Sequence, residues 1–212
     1  MKLFFSPLAC STSSRIALYE AGATATFVEV DTKTKRTLSG QDYLAINPVG
    51  LVPALRLPDG AVLLENAAIL QYLADAHPDA GLAPRSGFAR ARLQQWLSFI
   101  GTELHQALFL PLFDKAQPEA ARDKTLSAGA RRLDYLEKHL AQHEFLLEAW
   151  SVADAYLTAV LNWHGATRVE LARWPAVKAY FERMCARPAT ARAMAEEAAL
   201  YGEELRRQRA AA

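Results

Sequence analysis

Residues 47–75, NPVGLVPALRLPDGAVLLENAAILQYLAD, restrict the possible folds more than any other stretch of the chain. Two short apolar runs, residues 53–57 and 61–64, flank Pro58-Asp59-Gly60, a turn signal in which glycine accepts a positive φ. Two strands joined by a tight hairpin are therefore expected. Glu65 and Asn66 follow, and then Ile69, Leu70 and Leu73 recur at helical spacing. Asn66 is expected to cap this helix by accepting a first-turn N–H. Pro53 cannot donate to a sheet ladder, so it belongs at a strand start or an edge. Proline also pushes Val52 toward extended geometry, which leaves the Val52 N–H and C=O available to something outside the sheet. Glu65 beside a helix N-terminus would hold a cation, while the helix end itself attracts an anion. The pair suits a ligand with both an ammonium and a carboxylate, such as an α-amino acid end; the plainer reading is a capped helix with a solvated glutamate.

Upstream, residues 2–5 read as a short buried strand broken by Ser6-Pro7. A helix is expected over about residues 13–21, closed by Gly22, with Ile16 and Tyr19 inward. Residues 26–30 alternate as a second strand, so the start is a right-handed βαβ unit. A polar loop, residues 31–40, carries Lys33, Lys35 and Arg36 before the hairpin. Residues 79–87, rich in Gly and Pro, read as a linker. Beyond it the pattern is helical only. Leu93, Leu97, Ile100, Leu104 and Leu108 form one stripe, expected to end at Pro111. Leu126, Leu133, Leu136 and Leu140 mark a second helix. Ser151 and Asp154 form a capping box for a third, and Pro175 opens a fourth. Pro188 precedes a last amphipathic helix whose basic end, Arg206-Arg207-Gln208-Arg209, complements the helix dipole. The domains expected are residues 1–79 (α/β) and 89–212 (all-α), joined by residues 80–88.

With 212 residues, 51% hydrophobic and 22% charged, the chain has ample core, and its net charge of +1 argues against a nucleic-acid partner. No stretch reads as a membrane span. Leu8-Ala9-Cys10 looks like a lipoprotein cleavage site, but the apolar block before Pro7 is residues 3–5 alone, short of the ~7–15 an exported leader needs, so a cytoplasmic protein is expected. Cys10 and Cys185, far apart, suggest reduced thiols rather than a disulfide. His77, His105, His139, His143 and His164 lack metal-ligand spacing, and no metal is expected.

Cys10 lies between a strand and a helix in the run Cys10-Ser11-Thr12-Ser13. A helix N-terminus lowers a cysteine pKa, by as much as ~5 units from the usual ~8.5. Because Ser13 stands two residues beyond Ser11 and is not a cysteine, no neighbouring thiol resolves a mixed disulfide, and any redox cycle would be monothiol. The alternative is a small buried hydrophobe, for which the Ser/Thr setting looks too polar. Ser11 is a second candidate activator, through its hydroxyl.

The β-α-β order, followed by a proline-led strand, hairpin and helix, is the thioredoxin-like plan. With its helical second half, the chain resembles the cytosolic glutathione transferases. The resemblance rests on Cys10-Ser11, Asn47-Pro48 with Gly50, Val52-Pro53, Glu65-Asn66, Ala68-Ile69 with residues 71–75, and residues 152–156. Cys10 together with Trp96-Leu97 and Glu103-Leu104-His105 is most similar to the bacterial beta class. The resemblance implies that Val52 binds the cysteinyl backbone of glutathione, with Pro53 cis, and that Glu65 and Asn66 hold the γ-glutamyl end. It places Lys35 near the glycine carboxylate, Cys10 and His105 at the sulfur, and Ser98 near the thiol. It also implies a homodimer in which Glu103 reaches the neighbouring subunit's site. Departures from the family pattern are Leu8 for a usual Gly, Asn66 for Ser or Gly, Ser98 for Asn, Gln106 for Lys, and Leu147 where a Gly is often found. The activity implied is conjugation of glutathione, as co-substrate, to a small hydrophobic electrophile; Leu8, Phe109, Phe113 and Trp163 are candidates for its pocket. A monothiol oxidoreductase using Cys10, or a binding protein that keeps the fold, are the alternatives.

Overall fold

The computed structural model describes residues 1–210. Its first strand, β1 (Lys2–Phe5), lies at the centre of a five-stranded sheet of order β3-β2-β1-β4-β5. The other strands are β2 (Thr26–Asp31), β3 (Arg36–Thr37), β4 (Ala54–Arg56) and β5 (Val62–Leu64). β1 and β2 run parallel in the register Leu3 opposite Phe27, with α1 (Thr12–Glu20) between them in sequence. Antiparallel β4 joins the other side of β1, pairing Leu3 with Leu55, and β5 completes the hairpin. β3 is only two residues long and falls inside the stretch read as a polar loop, because two residues carry no periodicity to read. Leu3, Phe4 and Phe5 are all buried, as a strand covered on both faces requires.

α2 (Asn66–Ala76) buries Ile69, Leu70 and Leu73, the spacing expected of one apolar helix face. Asn66, however, is the first helical residue and not the cap. The N-cap position belongs to Glu65, and no side chain caps this helix end. The amide of Asn66 is instead turned inward onto α1, where Ser13 and Ser14 satisfy it.

The backbone divides into two compact units, Met1–Leu82 with Arg187–Ala212, and Ala83–Ala186. The last helix, α8 (Pro188–Ala210), thus belongs with the sheet and not with the helices before it, unlike the division at residues 80–88. The physical reason is Glu197. This residue has no exposed surface and is bonded to the turn before α1 and to α1 itself.

The second unit is all helical. α3 (Gly87–Phe99) runs on through a π-helical segment, Ile100–Phe109, into α4 (Leu110–Phe113). Leu93, Leu97, Ile100, Leu104 and Leu108 are all buried, so the stripe holds. Pro111 does not end the helix. It falls in the first turn of α4, where a missing N–H is tolerated. α5 (Glu119–Leu140) packs against the π segment at Gly129, where a Cβ would come within 2.3 Å of Leu108 Cδ1. The Ser151–Asp154 capping box opens α6 (Val152–Leu161), a helix buried along its whole length, and α7 (Pro175–Cys185) follows.

Candidate functional site

The turn that delivers Cys10 is built from its own hydroxyls. Ser13 Oγ donates to the Cys10 carbonyl (2.6 Å) and Ser11 Oγ to the Ser6 carbonyl (3.2 Å), while Thr12 Oγ1, whose proton goes to Glu197, lies 2.8 Å from the Ala9 carbonyl. Ser11 Oγ also accepts the Ser6 N–H at 3.4 Å. Each of these hydroxyls has a partner, Ser11 and Ser13 in the turn itself and Thr12 in Glu197, so the polar-looking segment can be buried. Cys10 is 6% exposed as a result. Its thiol donates to the Val52 carbonyl at 3.5 Å, and burial pushes its pKa up to about 12 against the lowering pull of the Cys10 and Ser11 backbone N–H groups. The expected depression at a helix N-terminus is thus overridden by desolvation. Ser11 contributes its N–H to the sulfur's surroundings. Its hydroxyl is held at Ser6.

Val52 precedes a cis Pro53 at the start of β4. The peptides before it are held from several sides. Lys35 Nζ donates to the Gly50 carbonyl at 2.9 Å, and Leu51's carbonyl accepts from Tyr43 Oη and Asn47 Nδ2, each at 2.7 Å. Gly50 has φ +70°, and a Cβ there would meet the Lys35 stem at 3.0 Å, so glycine is needed on both counts.

Glu65 is exposed, at the mouth of α2, with φ +66° and ψ +117°. Its negative charge reaches Cys10 and contributes to the raised thiol pKa. Beside it, Asn66 Nδ2 donates to Ser13 Oγ (2.9 Å) and Asn66 Oδ1 accepts from Ser14 Oγ (3.0 Å), which ties α2 to α1. Among the described residues, the non-glycine positions with left-handed φ are Leu8, Lys35 and Glu65. Each such residue costs of order 1–3 kcal/mol, and such strain persists where the surroundings impose it, commonly at binding sites. Here all of them belong to the segments that carry the candidate residues of the first unit.

Behind this site lie residues the sequence did not single out. Glu197 accepts the Leu8 N–H (2.8 Å) and the Thr12 hydroxyl (2.5 Å). It forms an ion pair with Arg15 at 2.9 Å whose N–H is not aligned as a hydrogen bond. Arg15 is stacked between Phe5 (4.4 Å) and Phe27 (4.0 Å) and also reaches Glu196 at 3.0 Å. A buried glutamate in the run Ala195-Glu196-Glu197 gives no pattern that tells it from its solvated neighbour.

The remaining candidates, Ser98, Glu103 and His105, belong to the helical unit. Ser98 is exposed, and its carbonyl accepts from Thr102. Glu103 is held by Arg132 of the same chain at 2.6 Å. His105 Nδ1 is 2.9 Å from Tyr156 Oη, and its ring meets Trp163 edge-on at 4.8 Å. Burial lowers its pKa to about 4, so the ring is neutral near pH 7. Phe109 and Phe113 pack edge-on against the same indole. Cys185, half-buried in α7, has its pKa raised by burial to about 11.

The chain is similar to known proteins along most of its length. Residues 9–76 match the family model described as Glutathione S-transferase, N-terminal domain, and residues 102–188 match Glutathione S-transferase, C-terminal domain. The chain is 41% identical over 199 residues to Glutathione S-transferase GstA of Escherichia coli O157:H7, covering 93% of this chain and 98% of that one. It is 34% identical over 195 residues to Glutathione S-transferase GST-4.5 of Xanthomonas campestris, covering 88% and 93%. Among solved structures, a ternary complex of BphK, a bacterial GST, superposes with a TM-score of 0.90 at 44% identity, over 93% of this chain and 100% of the other. A sphingomonad glutathione S-transferase complexed with glutathione gives 0.89 at 42% identity, over 93% and 99%.

Proposed function

This chain belongs to the glutathione S-transferase family and is a glutathione transferase of the bacterial beta type, and we propose that its first unit holds glutathione through Val52, Glu65, Asn66 and Lys35 beside the thiol of Cys10. The observation that carries this assignment is the Cys10 thiol on the Val52 carbonyl, next to Pro53. The same backbone group that would take the cysteinyl main chain of glutathione already faces the cysteine.

When glutathione binds, its cysteinyl amide takes the Val52 carbonyl and the Cys10 S–H is released to donate to the glutathione sulfur. The Glu65 carboxylate takes the γ-glutamyl ammonium, and the start of α2 favours the adjacent carboxylate. Asn66, committed to Ser13 and Ser14, supplies its backbone N–H and keeps α2 in place. Lys35 Nζ has donors to spare beyond the Gly50 carbonyl, and one serves the glycine carboxylate. The reaction forms a bond from the glutathione sulfur to the electrophilic carbon. The S–H proton passes to a base, and the leaving group departs with its electron pair. A donor aimed at the sulfur favours the thiolate, and ~2–3 kcal/mol suffices to ionise most of it near neutrality. His105, whose ring burial keeps neutral near pH 7, is given its part at the sulfur on the resemblance alone. Ser98 and Glu103 are assigned supporting parts on the resemblance alone. The protein works as a two-fold dimer in the cytoplasm, where Cys10 and Cys185 stay reduced; Val49 and Leu51, exposed at 69% and 58%, offer a partner apolar surface.

A protonated Cys10 suits a hydrogen-bond donor better than a redox nucleophile. The test is Cys10→Ser assayed in parallel for conjugation of an activated aryl halide and for glutathione-dependent disulfide reduction. Conjugation is expected to persist within about tenfold, because serine also donates. A variant that loses conjugation and had a wild-type parent active chiefly on disulfides would contradict the assignment.

A further inference from the structure

We propose that Tyr43 and Asn47 are positioning residues for glutathione, acting through one oxygen, the Leu51 carbonyl, to aim the Val52 N–H. The proposal rests on the assignment of Val52 to the cysteinyl backbone. A peptide group is planar, and in the trans form its C=O and N–H point in opposite directions. The Leu51 carbonyl and the Val52 N–H share one such plane. Anything that fixes the first fixes the second.

Two donors fix it. Tyr43 Oη and Asn47 Nδ2 both reach the Leu51 oxygen at 2.7 Å, which uses both of its lone pairs. Neither donor is free to wander. Tyr43 has no exposed surface and packs with Phe4, Val30, Ile46 and Ala54, its ring 5.8 Å from that of Phe4. Asn47 is 4% exposed, and its Oδ1 accepts the Val49 N–H at 3.0 Å, so its amide is oriented by its own turn. Burial also pushes the Tyr43 pKa up to about 12, so the hydroxyl keeps its proton across the working range. The preceding peptide is pinned in the same manner by Lys35 on the Gly50 carbonyl. The loop therefore reaches the ligand with its N–H direction set by the core of the sheet.

The prediction concerns binding and not chemistry. Tyr43→Phe keeps the ring and removes one donor. Asn47→Asp keeps the Val49 acceptor and replaces the other donor with an oxygen. Each is expected to raise the KM for glutathione about 3- to 10-fold, the worth of one hydrogen bond, with kcat at saturating glutathione within twofold. Because both donors serve one oxygen, the double variant is expected to deviate from the product of the single effects. Leu133→Ala, buried in α5 of the other unit, controls for stability: it is expected to lower Tm at least as much as Tyr43→Phe and to leave KM unchanged. Wild-type KM in both Tyr43→Phe and Asn47→Asp, or an equal rise in Leu133→Ala, would overturn the proposal. If the wild-type protein shows no calorimetric binding of glutathione, the assignment of Val52 fails and the clamp fails with it. Normal wild-type binding with unmoved variants would reject the clamp alone.

Discussion

Glu197 is the most exacting test of how the thiol-bearing turn is held. Glu197→Ala removes the acceptor of the Leu8 N–H and of the Thr12 hydroxyl, and it strips Arg15 of a carboxylate 2.9 Å away. Arg15 is 3% exposed, so water cannot replace the lost partner, although Glu196 remains at 3.0 Å and the Phe5 and Phe27 rings stay in place. Removing one partner of a buried pair costs about 3–5 kcal/mol, and the surviving Glu196 contact points to the lower figure. At about 2–4 °C per kcal/mol for a chain of this size, a Tm loss of about 6–12 °C is expected by calorimetry. Glu197→Gln keeps the volume and an acceptor oxygen but not the charge, and about half that loss is expected. Because Leu8 and Thr12 flank Cys10, the KM for glutathione should rise in the alanine variant. A Glu197→Ala protein melting within 2 °C of wild type, a difference of about 1 kcal/mol or less, would refute the reasoning.

Cys10, with its pKa raised to about 12, is expected to be about 10⁻⁴ ionised at pH 8, so iodoacetamide should modify it more than a hundredfold more slowly than an exposed thiol; a rate near that of free cysteine would contradict the burial argument. His105 has its pKa lowered from 6.5 to about 4, so between those values the unfolded chain binds the extra proton and folding stability falls as pH drops from about 6.5 to about 4. After allowance for partial exposure of the ring, about 2 kcal/mol should be lost across that window in the wild type and not in His105→Gln, measured by urea unfolding at each pH. Gly129→Ala improves helix propensity by about 1 kcal/mol but drives a Cβ to 2.3 Å from Leu108, and a net loss of about 1–2 kcal/mol is expected in urea unfolding; stabilisation would show that the π segment yields freely.

Much of the fold was legible because its signals are local. The buried strand at residues 2–5, the turn at Pro58-Asp59-Gly60, the apolar stripes and the Ser151–Asp154 capping box each depend on near neighbours in sequence. What escaped depends on distant ones. Asn66 reads as a helix cap until Ser13 and Ser14, more than fifty residues away, claim its amide. The setting of Cys10 reads as too polar for a core, yet the Ser11 and Ser13 hydroxyls close on their own backbone and that of Thr12 on Glu197, which allows the turn to be buried. Pro111 reads as a stop, but the hydrogen-bond register has already shifted by one residue, with the Leu110 N–H reaching the His105 carbonyl, and proline then lies in a first turn. Glu197 sends no sequence signal at all, and with it went the assignment of the last helix to its unit. The candidate residues of the first unit rest on resemblance and motif, whereas Tyr43 becomes visible only when its hydroxyl can be followed to the Leu51 carbonyl.

The most direct measurement is a crystal structure of this protein grown with glutathione. The account predicts the cysteinyl main chain paired with Val52, the γ-glutamyl ammonium against Glu65, and the sulfur within hydrogen-bond reach of Cys10. Glutathione bound without touching Val52 and Glu65, or absent from the first unit at saturating concentration, would contradict it.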